Sequence, residues 1–197
     1  MADSSSSSEA TVLRRLYPTD WDALKSVGSA CLPILYPDDY WKMLTADNGV
    51  HFALGAFFED QLVATVAVVR DASYVAPHMK REEARLVEDY DNVCYISSLV
   101  VTEKMRRRGI ATRLMGQAME QLQTEEGTDA FYLHVMVGNT KAISLYEKLG
   151  FAREAHLPSY YNQMNLLSDA FLYVRRLRAT TPPRKKCACS TPFCHIQ

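Results

Sequence analysis

Arg106-Arg107-Arg108-Gly109-Ile110-Ala111 is the stretch on which the reading of this chain turns. It stands between an apolar run at residues 95–102, which reads as a buried strand, and residues 110–125, which read as an amphipathic helix with Leu114, Ala118 and Leu122 on one face. A basic, glycine-containing turn that opens a helix is a device for holding an anion. The first backbone N–H groups of a helix lack intrahelical partners, and the helix dipole places partial positive charge there. Gly109 lets the backbone come close to a ligand, and the arginines add charge-assisted donors. No G-K-[ST] follows, so this is not a Walker loop, and a dinucleotide fingerprint would need two more glycines. Spacing alone leaves a solvated basic turn open beside the phosphate reading.

Working outward, residues 130–137 form a second apolar strand, followed by a helix at residues 139–149 that Gly150 stops. The strand–helix–strand unit from 95 to 137 should be parallel and right-handed, with the anion turn at the carboxyl end of its first strand. Upstream, residues 12–16 suggest an edge strand. Thr19 or Asp20 can cap a helix over 21–31, and a second short helix runs over 38–44. Residues 51–58 and 61–70 read as a hairpin joined by Glu59-Asp60. Residues 71–91 are charged and irregular, with a helical piece expected over 80–86. Downstream come a strand over 151–155, a tyrosine-rich loop over 157–162 and a closing strand over 170–177. This order implies an α/β fold with a mixed sheet.

With 197 residues, 48% of them hydrophobic, and a formal net charge of −1, the chain suits one globular domain. Near-neutral charge argues against a dedicated nucleic-acid binder, and no apolar run approaches a membrane span. Residues 1–10, with five consecutive serines, read as a disordered leader without the features of a secretory signal. Residues 11–178 form the domain and residues 179–197 a flexible tail. Cys31 and Cys94 sit in apolar surroundings, as expected of ordinary thiols in a reducing, cytoplasmic setting. In the tail, Arg184-Lys185-Lys186 precede Cys187, Cys189 and Cys194. Free thiols on a disordered tail, a polybasic and lipidated anchor for peripheral membrane contact, and a soft-metal site all remain open, although the spacing matches no standard zinc module. No metal site is expected in the domain.

Several pieces taken together resemble the GNAT superfamily of acetyl-CoA-dependent N-acetyltransferases. They are Leu99-Val100-Val101, then Arg106-x-x-Gly109-x-Ala111, then Asn139-x-x-Ala142-x-x-Leu145-Tyr146 and Leu149-Gly150-Phe151. Leu32-Pro33-Ile34-x-Tyr36, Tyr95-Ile96-x-Ser98-Leu99, Tyr132-Leu133-His134-Val135 and Leu157-Pro158-x-Tyr160-Tyr161 are similar to the N-terminal (Nα) acetyltransferases of the NatF and NatE catalytic type. Two departures are Leu35, where the NatF pattern tends to be acidic, and Ala111 in place of the last motif glycine.

The resemblance implies a GNAT fold, with a mixed sheet of about seven strands holding a splayed parallel pair, flanked by about four helices. It implies acetyl-CoA as co-substrate, held by Leu99, Val100, Val101, Arg106, Arg107, Arg108, Gly109, Ile110, Ala111 and Thr112, with Asn139 and Tyr146 on the far side. Tyr146 would protonate the leaving thiolate. Tyr95 and His134 would serve as the general-base pair, and the oxyanion donor would be a backbone N–H near Leu99 or Val100. Histidine is the better intrinsic base near neutrality, whereas tyrosine would need a lowered pKa or a place in a water relay. A core histidine and a packing tyrosine are the alternatives from residue type alone.

The acceptor would be a protein N-terminal peptide, Met followed by an apolar or other non-small residue. It would lie among Leu32, Pro33, Ile34, Tyr36, Tyr95, His134, Tyr160 and Tyr161. A lysine or small-amine acetyltransferase on the same fold, and a non-catalytic CoA-binding adaptor, are the competing functions. A ribosome or auxiliary subunit is a candidate partner, and a monomer or weak dimer is the expected state.

Overall fold

The computed structural model describes residues 11–70, 84–85, 90–164 and 166–177, without the side chains of 163 and 164. The serine-rich leader and the basic, cysteine-containing tail lie outside the described residues. Of the helical piece expected over 80–86, only Ala84 and Arg85 are described, and both are helical.

Seven strands form one sheet. They are β1 (Val12–Arg15), β2 (His51–Phe58), β3 (Gln61–Val69), β4 (Val93–Val101), β5 (Ala130–Met136), β6 (Ala152–Leu157) and β7 (Ala170–Arg176). Their order across the sheet is β1-β2-β3-β4-β5-β7-β6. Every pairing is antiparallel except β4 with β5. That pair is in register only over Val93↔Ala130, Cys94↔Phe131 and Tyr95↔Tyr132. Beyond Tyr95 the two strands part, which is the expected splay. A bulge helps to part them, because Ala67 faces Ser98 while Val68 faces Ile96, leaving Ser97 as an extra residue in β4.

Among the described residues, four α-helices with defined ends flank the sheet: α1 (Trp21–Cys31), α2 (Asp38–Thr45), α3 (Ile110–Glu126) and α4 (Thr140–Lys148). On one face Leu24, Trp41 and Leu44 of α1 and α2 pack on Leu16, Ala53, Leu62 and Ala67. On the other, Leu114, Met115, Ala118 and Leu122 of α3 pack on Phe52, Leu54, Val66, Val68, Phe131 and Leu133. Because both faces are covered, β3 is buried at every position from Leu62 to Val69, and it reads as a continuous apolar run rather than an alternating one. Burying one such leucine contributes about 1.5–3 kcal/mol.

Several details differ from the sequence reading. β4 starts two residues earlier, at Val93, and β6 runs from Ala152 to Leu157. Asp20 is the residue before α1 but makes no side-chain cap. Its carboxylate instead takes two hydrogen bonds from the Arg14 guanidinium at 2.8 and 2.9 Å and one from the Tyr17 backbone N–H at 2.9 Å. A charged, forked donor outcompetes a helix N–H for the same oxygens. The two helices α1 and α2 meet at Gly28, where an added Cβ would fall 2.2 Å from the Trp41 ring.

Candidate active site

Among the described residues, the parting of β4 and β5 leaves the β5-facing edge of β4 without a ladder partner from Ile96 onward. The gap opens into a cleft of about 160 Å³. Tyr95 and Leu99 line it from β4, His134 and Met136 from β5, and Asn139 and Tyr146 from α4 and its start. Leu32, Pro33, Ile34 and Tyr36 close one side, and Tyr160 and Tyr161 the other. All eight residues expected to hold the acceptor therefore converge on one cleft. Among the described residues no aspartate, glutamate, lysine or arginine lines it.

His134 sits between two phenols. Its Nδ1 lies 3.3 Å from the Tyr95 hydroxyl and 3.0 Å from the Tyr160 hydroxyl. The Tyr160 ring stacks on the imidazole at a centroid distance of 4.3 Å, and Tyr95 stacks on Tyr132 at 4.8 Å. Burial, reinforced by the neighbouring tyrosines, pushes the Tyr95 phenol well above its usual range. The shift runs opposite to the lowered pKa under which Tyr95 could serve as base. A raised phenol keeps its proton near neutrality, which leaves the Tyr95 hydroxyl a hydrogen bond to offer His134. Burial also pushes Tyr146 up to about 12 and raises Tyr161 and Tyr36. The cleft wall is a set of neutral phenols around one imidazole.

The anion turn lies past the carboxyl end of β4. Gly109 precedes α3 with φ +75°, in the left-handed region, and Arg107 adopts φ +64°. Nothing lies within 4 Å of the Cβ position of Gly109, so its upper face is open. Arg106, Arg107 and Arg108 are exposed, and among the described residues none forms an ion pair. Arg106 folds back, its Nε donating to the Val101 carbonyl at 3.0 Å. The side chains of Val100 and Ile110 are buried, so these two can offer a ligand only backbone. Ala111 is half-buried and Thr112 exposed. Asn139 spends its Oδ1 on the N–H of Ala142, capping α4.

This arrangement suits a phosphate-bearing thioester. Orphan N–H groups at the start of α3 suit a pyrophosphate, and the unpaired edge of β4 suits an amide-containing arm. The sequence profile of the acetyltransferase (GNAT) family matches residues 13–151, most of the sheet and both of these features. The chain belongs to the GNAT family of acetyltransferases.

Its relatives point the same way. An N-alpha-acetyltransferase 60 of Xenopus tropicalis is 32% identical over 176 residues, covering 88% of this chain and 72% of that protein. An N-alpha-acetyltransferase of Saccharolobus solfataricus is 29% identical over 169 residues, covering 84% and 92%. The crystal structure of Arabidopsis thaliana NAA60 in complex with acetyl-CoA superposes with a TM-score of 0.71 at 21% identity, covering 86% of this chain and all of that one. At that identity the superposition speaks to the GNAT fold.

Some lining residues escaped the sequence reading. Ser97 and Ser98 enter the cleft at the bulge, where the Ser97 hydroxyl donates to the Ala67 carbonyl at 3.2 Å, and nearby Tyr40 stacks on Tyr36 at 4.1 Å. Two serines inside an otherwise apolar strand, and a tyrosine four residues after Tyr36, were the available signals.

Proposed function

We propose that this GNAT-family chain transfers the acetyl group of acetyl-CoA to the free α-amino group of protein N-termini that begin with Met and an apolar or other non-small residue. The observation that carries it is the position of His134, bracketed by Tyr95 and Tyr160 in a cleft that no charged side chain lines among the described residues. An α-amino group titrates near ~8, so a modest base is enough, whereas a lysine amine near ~10.4 needs a stronger one. The uncharged, aromatic walls favour an apolar first side chain and offer no carboxylate to a lysine head group.

Arg106 to Thr112 hold the pyrophosphate, with the backbone N–H groups at Gly109 and after it facing the anion. The edge of β4 at Leu99 to Val101 aligns the pantetheine arm, with Asn139 on the opposite wall. His134 takes the amine proton, directly or through one water, while Tyr95 and Tyr160 hold the imidazole in place. The new C–N bond forms as the C–S bond breaks. The negative oxygen is met by β4 backbone N–H near Leu99 or Val100, and Tyr146 supplies the proton to the departing sulfur. The test is acetyl transfer to a panel of unblocked peptides that differ only at the first two residues. Preference for Met followed by leucine or phenylalanine supports the reading, and transfer that ignores the first two residues contradicts it.

A further inference from the structure

We propose that Asp169 is a positioning residue for this site, holding the backbone of Ser159 so that Tyr160 presents its hydroxyl to His134. The inference rests on the reading of His134 as the proton acceptor. Asp169 immediately precedes β7, outside the cleft, and ties three elements together. Its Oδ1 accepts the Ser159 backbone N–H at 2.8 Å, and its Oδ2 lies 2.8 Å from Nε2 of His156 on β6. Its own carbonyl accepts the N–H of Val137 just past β5, at 3.3 Å.

Ser159 has φ +55°, the left-handed region that a serine enters only when something compels it. The hydrogen bond to Asp169 is what compels it here. Tyr160 follows at once, and its loop is closed by the Tyr161 N–H donating to the Ser168 carbonyl at 3.0 Å. The direction in which Tyr160 leaves Ser159 therefore sets both the 4.3 Å stack on His134 and the 3.0 Å contact with Nδ1. Nδ1 has one lone pair or one proton to offer, and Tyr95 competes for it at 3.3 Å. A small rotation of Tyr160 shifts that share. The Ser159 N–H, and after it His156, hold the Asp169 carboxyl below its usual range, so both oxygens are acceptors near neutrality.

A purely structural role predicts the opposite balance of effects. The Asp169 and His156 side chains are 38% and 51% exposed, and exposed ion pairs add little stability. In the full-length chain, Asp169→Ala should lower kcat on an unblocked Met-Leu peptide by about tenfold or more, because small misplacements at a reacting group are costly. The KM for acetyl-CoA should not move. Asp169→Asn keeps an acceptor for the Ser159 N–H and should recover most of the loss. The ring-nitrogen spectrum of ¹⁵N-histidine-labelled protein, taken without substrate, should show the His134 signals displaced in Asp169→Ala and restored in Asp169→Asn. Unmoved His134 signals, an Asn variant as impaired as the Ala variant, a parallel rise in acetyl-CoA KM, or an Ala variant that does not fold would each overturn the proposal. If the wild-type chain acetylates no N-terminus, the proposed function fails, and the spectrum still decides the role of Asp169.

Discussion

The hydroxyl of Tyr160 lies 3.0 Å from Nδ1 of His134, on a ring that stacks against the imidazole. With the Tyr95 hydroxyl at 3.3 Å from the same nitrogen, the histidine is held from two sides. Removing the base should cost more than removing either holder. His134→Ala is expected to lower kcat by about 10²–10⁴-fold, the usual worth of a general base. Tyr95→Phe and Tyr160→Phe each remove one hydrogen bond of about 1 kcal/mol and should cost about tenfold or less. Steady-state kinetics with acetyl-CoA held at saturation measures all three. A His134→Ala enzyme as fast as wild type would remove the assignment.

The pH profile follows from the direction of the tyrosine shifts. Burial raises Tyr95 well above its ordinary value and Tyr146 to about 12. A raised phenol keeps its proton to higher pH, so both remain neutral donors throughout the neutral and mildly alkaline range. The rate should therefore rise as the substrate amine loses its proton near ~8, and should show no falling limb up to about pH 10. A decline centred between 9 and 10 in stable enzyme, absent from Tyr146→Phe, would show that the phenol titrates normally.

At the anion turn, Gly109 has φ +75° with open space around its Cβ position. Gly109→Ala meets no clash and suffers only backbone strain, about 1–2 kcal/mol. The strain lies where the pyrophosphate is held, so the KM for acetyl-CoA should rise several-fold while kcat at saturation is kept. Isothermal titration with acetyl-CoA would show the same weakening.

Gly28 lies against Trp41, and an added Cβ would come within 2.2 and 2.4 Å of ring carbons. Trp41 is 1% exposed and packed by Tyr36 and Tyr40, so the ring has no room to move away. Gly28→Ala should destabilise the fold by about 1–3 kcal/mol, seen as a lower urea midpoint with an unchanged slope. Because α1 leads into the Leu32–Tyr36 loop, peptide KM should rise as well.

Much of this molecule was legible in local sequence. The Arg106 to Ala111 turn, the apolar runs on either side and the Gly150 stop are short-range signals, and each fixes an element type by itself. Every substrate residue expected from the motifs converges on the cleft. What escaped was set by register and long-range competition. Ser97 is extra only because β3 pairs with β4 in one particular register, and that bulge brings Ser97 and Ser98 into the cleft wall. Asp20 fits a helix cap by residue type, yet Arg14 claims its carboxylate across a strand-to-helix turn. Asp169 is ten residues from Ser159, and only the β6–β7 pairing makes them neighbours.

The central claim is that His134 in this cleft serves a free α-amino group. The most direct measurement takes one peptide that begins Met-Leu and carries a single internal lysine, incubates it with acetyl-CoA and the full-length chain, and locates the added acetyl by fragmentation mass spectrometry. Acetyl on the α-nitrogen, lost with His134→Ala and absent from a twin peptide whose N-terminus is blocked, is the predicted result. Acetyl on the lysine, or equal acetylation of the blocked twin, would contradict it.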